Sequence, residues 1–196
     1  MKLLFATHNP HKAQEIRDIF LSSGCAFEVT SLVEMGDTRD IVESGDTLVE
    51  NALIKAREGF ARHGINCFAD DTGLEVEALN GRPGVYSARY AGPKCKAEDN
   101  IQKLLGELHN IHDRRTRFRT VIALILDGKE YLFEGIVNGQ IVEQKVGVEG
   151  FGYDPIFQPR GYQITFGEMS EAEKNKISHR GLAIQKLIAF LKEQEY

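Results

Sequence analysis

Five short segments of the 196-residue chain carry residue types that can handle a phosphate, a metal ion or a flat ring. The first is Thr7-His8-Asn9-Pro10-His11-Lys12. Asn9 ahead of Pro10 reads as a helix start. Backbone N–H groups and the helix dipole favour an anion at such a turn. Thr7 adds a hydroxyl and Lys12 a point charge, so a phosphate chain could rest there. The plainer reading is a capped helix with a solvated lysine, and the glycines and Gly-Lys-Ser/Thr ending of a Walker loop are absent. The second segment is Asp70-Asp71, placed by the pattern at a strand end. Neighbouring strand residues point to opposite sides, so one carboxylate can face a pocket. A carboxylate there suits magnesium, which takes few carboxylates plus water and phosphate oxygens. Asp-Asp is also a common turn former.

The third segment joins Glu43 to Glu50, Asn51 and Lys55. Asn51 and Lys55 are four apart and share a helix face. Glu43 could supply a second metal ligand, and Lys55 is a candidate substrate contact. Glu50 is explained equally well by a capping box with Thr47. The fourth is Phe151-Gly152-Tyr153-Asp154-Pro155, where two aromatics around a glycine could wall a base by stacking. A tight turn with core aromatics is the alternative. The fifth is Ser178-His179-Arg180 with Lys174 one helical turn ahead of Ser178. Arg180 can donate to a carbonyl or phosphate in a fixed fork, or simply sit at a surface helix start. The pairs His8/His11 and His109/His112 have zinc-like spacing but no third ligand at a recognised distance.

These residues need elements to hold them. Lys2 to Thr7 reads as a buried strand. Ala13, Ile16, Ile19 and Phe20 follow at helical spacing until Gly24. Phe27 to Leu32 is a strand candidate, and 34–45 a polar loop. Thr47 caps a helix running to about Arg62. Asn66 to Ala69 is a strand entering Asp70-Asp71-Thr72-Gly73, and Leu74, Val76 and Ala78 alternate as the next strand. Ile101, Leu104, Leu105 and Leu108 mark another helix. Phe118–Leu126, Glu130–Val137 and Gln140–Val146 read as a meander, with hairpin turns at Asp127-Gly128 and Asn138-Gly139. Helices begin near Ser170 and near Ser178. The sum is an α/β chain with a mixed sheet.

The chain is 42% hydrophobic with a net charge of −5. That suits one compact domain, 1–196, with room for two lobes. A general nucleic-acid binder would show a basic excess, so no nucleic-acid partner is expected. No apolar run approaches the ~20 residues that span a bilayer, and the apolar run at Met1–Thr7 is shorter than a signal peptide is expected to have. Cys25, Cys67 and Cys95 are an odd set without Cys-x-x-Cys spacing, as in reduced cytosolic proteins. No Gly-x-Ser-x-Gly elbow is present, and no cysteine context marks a nucleophile.

The order of the motifs adds a further level. Thr7-x-Asn9-x-x-Lys12, then Glu50-Asn51-Ala52, Ala69-Asp70-Asp71-Thr72-Gly73-Leu74 and Pro83-Gly84-Val85-Tyr86-Ser87-Ala88-Arg89-Tyr90 resemble the inosine triphosphate pyrophosphatase family. This family is also called the Ham1-like or non-canonical purine NTP pyrophosphatase family. Phe151-Gly152-Tyr153-Asp154-Pro155-Ile156-Phe157 and Lys176-Ile177-Ser178-His179-Arg180 complete the likeness, which covers Leu4 to about Leu191. His8, His11 and Glu149 stand where many relatives have glycine.

The resemblance implies an elongated mixed sheet flanked by helices, two lobes with a central active-site cleft, and a cytoplasmic homodimer. It implies a Mg²⁺-dependent hydrolase that cuts ITP, dITP and XTP to the monophosphate and pyrophosphate, clearing them from the nucleotide pool. On it, Thr7, His8, Asn9, Pro10, His11 and Lys12 look like the triphosphate loop. Asp71 looks like the metal ligand and general base, Glu43 like a further metal-site acid, and Thr72 like a substrate contact. Phe151, Gly152, Tyr153 and Asp154 look like the base-binding segment. Lys174, His179 and Arg180 look like the remaining nucleotide contacts.

The expected chemistry is in-line attack of water at the α-phosphorus, with Lys12 and Lys174 stabilising the leaving pyrophosphate. Arg180 and N–H groups near Tyr153 would read the purine 6-oxo group. A Maf-like pyrophosphatase and a nucleotide-binding regulatory module are the competing readings. The motifs around Phe151 and Ser178 speak against the first, and Asp71 with Lys12 against the second.

Overall fold

The computed structural model describes residues 2–24, 27–94 and 96–194, so Cys25 and Cys95 lie outside the described residues. Strands β1 (Lys2–Phe5), β2 (Glu28–Ser31), β3 (Cys67–Val76), β4 (Pro83–Gly84), β5 (Arg115–Leu126), β6 (Lys129–Ile141) and β7 (Phe157–Pro159) form one sheet. Its order is β2-β1-β3-β5-β6-β7, with β4 on β3. β1 runs parallel to β2 and β3, while β4 on β3 and β7 on β6 are antiparallel. The helices are α1 (Pro10–Ser22), α2 (Leu48–His63), α3 (Ala97–Glu107), α4 (Glu171–Ile177) and α5 (His179–Glu193). The α/β class and the mixed sheet are as expected. No helix among the described residues is long and apolar enough to cross a membrane.

The chain packs as two compact units. The first takes Met1–Asp71, Thr120–Gly135 and Arg180–Tyr196; the second takes Thr72–Arg119 and Ile136–His179. In the first, α1 lays Ile16 and Phe20 and α5 lays Ile184 and Leu187 against Leu3, Phe5, Phe68 and Ile122. Phe5 and Phe68 stack at 4.8 Å. In the second, Leu74, Leu104, Phe118, Tyr153, Phe157 and Phe166 share a core.

Local signals set the helix starts. Asn9 accepts the N–H groups of His11 and Lys12, and Pro10 opens α1. Thr47 and Glu50 close a full capping box on α2, and Ser170 and Glu173 another on α4. Gly64, at φ 65°, ends α2 in the left-handed region that glycine favours. Asp127 and Gly128, both at positive φ, make the two-residue turn between β5 and β6.

Three expectations are corrected. β6 runs unbroken through Asn138-Gly139 instead of turning there. Gly139 is needed because a Cβ would lie 2.3 Å from the Gln158 carbonyl oxygen on β7. It serves close strand approach, not a turn. The expected strand Gln140–Val146 therefore shrinks to the end of β6, and β7 comes from Phe157–Pro159. Asp70-Asp71 sits inside β3 rather than at its end, and the strand continues to Val76. Gly73 permits this, since a Cβ there would meet the Gly84 carbonyl oxygen at 2.7 Å.

Candidate active site

The Thr7–Lys12 loop is organised by its own side chains. Thr7 Oγ1 accepts the Asn9 N–H at 3.1 Å, and Asn9 Oδ1 accepts from residues 11 and 12. His8 donates from Nε2 to the Asp37 carbonyl oxygen at 2.9 Å, which fixes its tautomer. Its imidazole thereby ties the loop to the turn after β2. Lys12 reaches across to Asp70 at 3.0 Å.

Asp70 and Asp71 take different partners, as adjacent strand residues should. Asp70, 2% exposed, receives Lys12 and also Arg180 Nε at 3.2 Å. Arg180 is 1% exposed and its other arm pairs with Glu15 on α1. Two carboxylates and two cations thus form a buried neutral quartet. Burial works against the Asp70 charge, but Lys12, Arg180 and Lys55 outweigh it and hold the carboxyl well below the usual range. Burial pushes the Lys12 ammonium down, with Asp70 opposing. Burial likewise works against the Arg180 charge, but Glu15 and Asp70 raise its pKa. Its guanidinium is a counter-charge inside the unit, not an arm held out for a base.

Asp71 faces a second lysine. Lys55 on α2 donates to Glu43 at 2.8 Å and to Asp71 at 3.3 Å. The sequence placed Lys55 with the substrate contacts; the structure sets its ammonium between two carboxylates. Burial opposes the Lys55 charge, but Asp71 and Glu43 raise its pKa. Asp71 is raised, first by burial and further by Glu43, with Lys55 opposing. Two hard oxygen donors converging on one cation match what Mg²⁺ takes from a protein. A divalent ion would keep the raised carboxyl ionised. Among the described residues no three His, Cys, Asp or Glu form a cage. Glu50 is absorbed by the α2 cap, accepting the N–H groups of Asp46 and Thr47.

The second unit holds the aromatic segment. Asp154 Oδ2 accepts the Phe151 N–H at 2.8 Å and the Lys174 ammonium at 2.8 Å. Gly150, at φ 73°, passes so close that a Cβ would lie 2.2 Å from Asp154 Oδ2. Gly152, at φ 63°, turns the chain between the two aromatics. Lys174, 5% exposed, sits 4.9 Å from the Phe151 ring centre. Phe151 is half-buried. Tyr153 cannot form the second half of a stacking wall. Its ring is 5% exposed in the core and its hydroxyl donates to the Ser87 carbonyl oxygen at 2.9 Å. The His179 ring stacks on Phe118 at 4.4 Å, also buried. Thr72 is half-buried in β3. Glu149 turns its side chain to solvent while its N–H donates to the Gly167 carbonyl oxygen at 2.9 Å.

A family model described as the Ham1 family matches residues 3–190.

The chain belongs to the Ham1 family.

A dITP/XTP pyrophosphatase of Christiangramia forsetii is 53% identical to it over 191 residues, 97% of this chain and 99% of that one. The Ham1 protein of Staphylococcus aureus has a structure that superposes with a TM-score of 0.88 at 40% identity, covering 99% and 100% of the two chains. The Ham1 protein of Coxiella burnetii gives 0.89 at 38%, covering 98% and 99%.

Within this Ham1 chain, sequence reasoning missed three residues. Glu15 carries the far charge of the quartet; its burial on the inner face of α1, beside Ile16, was the available signal. Asp37, 6% exposed, receives both arms of Arg39 and His63 Nε2 at 3.0 Å. Ser87 accepts the Leu74 N–H at 2.9 Å and donates to the Gly84 carbonyl oxygen at 2.6 Å. It joins β3 to the turn that anchors Tyr153. No spacing in the sequence announced either of these two.

Proposed function

We propose that this protein hydrolyses non-canonical purine nucleoside triphosphates, ITP, dITP and XTP, to the monophosphate and pyrophosphate. The observation that carries the reading is the convergence of Glu43 and Asp71 on one cation, in a chain 53% identical to a dITP/XTP pyrophosphatase. The same reading takes Mg²⁺ as the metal, a homodimer as the working assembly, the cytoplasm as the compartment and 1–196 as one catalytic domain. Neither nucleic acid nor membrane is a partner in it.

Glu43 and Asp71 would hold the ion. When bound, Mg²⁺ neutralises charge on the phosphates and acidifies water. Asp71, whose pKa burial raises, is suited to take a proton from the attacking water. Lys55 keeps Asp71 and Glu43 oriented. Lys12 and the Thr7–Lys12 loop bind the β- and γ-phosphates, with Asp70 fixing the lysine. Asp70 in turn is held by Arg180 and Glu15, so Arg180 serves the phosphate end through Asp70. This replaces its expected role as reader of the base.

Phe151 offers a stacking face for the purine, with Asp154 and Gly152 setting the loop. Tyr153 anchors that loop through Ser87, and His179 stacks on Phe118. In this reading Lys174, held by Asp154 beside the Phe151 ring, donates to the 6-oxo group. The adenine amino group would meet donor with donor, a mismatch that discriminates by ~10⁴ or more when buried. Thr72, next to Asp71, is a further substrate contact in this reading. The test is Asp71→Asn, which should abolish pyrophosphate release with an unchanged circular dichroism spectrum. Near-normal turnover would sink the assignment.

A further inference from the structure

Residues 38–45 have no regular secondary structure, yet they carry Glu43 to Lys55 at 2.8 Å. The segment is fixed at both ends. At one end Arg62 donates to the carbonyl oxygens of Arg39 at 2.9 Å and Asp40 at 3.1 Å. At the other, the Gly45 N–H donates to Asn51 Oδ1 at 2.8 Å.

Asn51 is 0% exposed, and its Nδ2 has no hydrogen-bond partner among the described residues. A buried amide with an unmet donor is costly, and a leucine of similar size would avoid that cost. The acceptor half therefore has to justify the residue. Gly45 gives an independent sign of the same contact. A Cβ on it would lie 2.6 Å from Glu50 Cβ and 2.8 Å from Asn51 Oδ1. Only a residue without a side chain lets the segment come this close. Lys55 follows Asn51 by one turn of α2 on the same face. The helix therefore grips the segment twice, by the backbone at 45 and by the carboxylate at 43.

We propose that Asn51 is a positioning residue for Glu43: its buried amide oxygen and the side-chain-free Gly45 dock the 38–45 segment on α2, and so set the metal affinity of the Glu43–Asp71 pair. The proposal rests on the reading of that pair as the metal site.

The experiment is direct Mn²⁺ binding without nucleotide, followed by the electron paramagnetic resonance signal of the free ion. It compares the wild type with Asn51→Ala, Gly45→Ala, the double variant and Glu43→Gln. Residues that orient a metal ligand typically change affinity by 10–100-fold. Asn51→Ala and Gly45→Ala should each weaken Mn²⁺ by about tenfold while the circular dichroism spectrum holds. The double variant should be no weaker than the worse single, since both break one contact. At saturating metal the KM for dITP should return to the wild-type value.

Mn²⁺ affinity within twofold of wild type in folded Asn51→Ala, or losses that multiply in the double, would overturn the proposal. If Asn51→Ala does not fold, Gly45→Ala carries the test alone, because residue 45 lies outside α2. The control separates the two levels. Unchanged affinity in Glu43→Gln refutes the metal assignment and the positioning role with it. A loss in Glu43→Gln without one in the other variants refutes the positioning role only.

Discussion

Replacing Glu15 by Gln keeps its shape and removes one charge from the Glu15–Arg180–Asp70–Lys12 quartet. All four side chains are largely shielded, with exposures of 7%, 1%, 2% and 17%. The wild-type set sums to zero charge. The variant leaves one positive charge uncompensated, and Arg180 is the least exposed of the four. Removing one partner of a buried ion pair costs about 3–5 kcal/mol, because the remaining charge stays desolvated. For a chain of this size each kcal/mol moves the thermal midpoint by roughly 2–4 °C, so the midpoint should fall by about 6–20 °C. Removing the cation as well, in Glu15→Gln with Arg180→Met, restores neutrality around Lys12–Asp70. The double variant should then be no less stable than Glu15→Gln alone, since a buried ion pair exchanged for apolar packing is often neutral. Urea and thermal unfolding of the two singles and the double form the assay. A cost below about 1 kcal/mol for Glu15→Gln, or costs that add in the double, would refute the picture of a closed quartet.

Two further outcomes follow from the same geometry. Tyr153→Phe leaves the buried Ser87 carbonyl without its phenol, so stability should fall by about 1–3 kcal/mol in urea. Because the anchor of the Phe151 loop is lost, the KM for dITP should rise more than kcat falls in steady-state assays. Asp37 is held below its ordinary value of 3.8, chiefly by hydrogen bonds from Arg39, with burial opposing and His63 assisting. A depressed carboxylate stabilises the fold above its unfolded pKa and loses that contribution as pH falls through the folded one. The stability gap between wild type and Asp37→Asn should therefore be constant above about pH 5 and close below about pH 4, as read by unfolding at a series of pH values.

Residues whose partners lie within one turn were legible in the sequence. Asn9-Pro10, Thr47 with Glu50 and Ser170 with Glu173 each settle a helix start by bonds three residues long, and Asp127-Gly128 turns on its own dihedrals. Asn138-Gly139 has the same letters as a hairpin, but Gln158, 19 residues past Gly139, decides its fate. Asp70-Asp71 looks like a turn until Lys12, Lys55 and Arg180 arrive from three other elements to keep two acids inside a strand. The same nonlocality explains the site. The sequence brought Thr7 to Lys12, Glu43, Asp71 and Lys174 forward as reactive types. It could not tell that Arg180 would be spent on Glu15 and Asp70, or that Tyr153 would turn into the core. Both outcomes depend on partners 66 to 165 residues away.

The central claim is a pyrophosphatase selective for non-canonical purines, and product analysis tests it most directly. Purified protein is given dITP, ITP, XTP, ATP and GTP in turn, with Mg²⁺ and with a chelator, and the released phosphate species are quantified. The account predicts one pyrophosphate and one monophosphate per dITP, ITP or XTP with Mg²⁺, negligible turnover in chelator, and ATP slower by orders of magnitude. Release of single phosphates, turnover without a divalent ion, or ATP consumed as fast as dITP would contradict it.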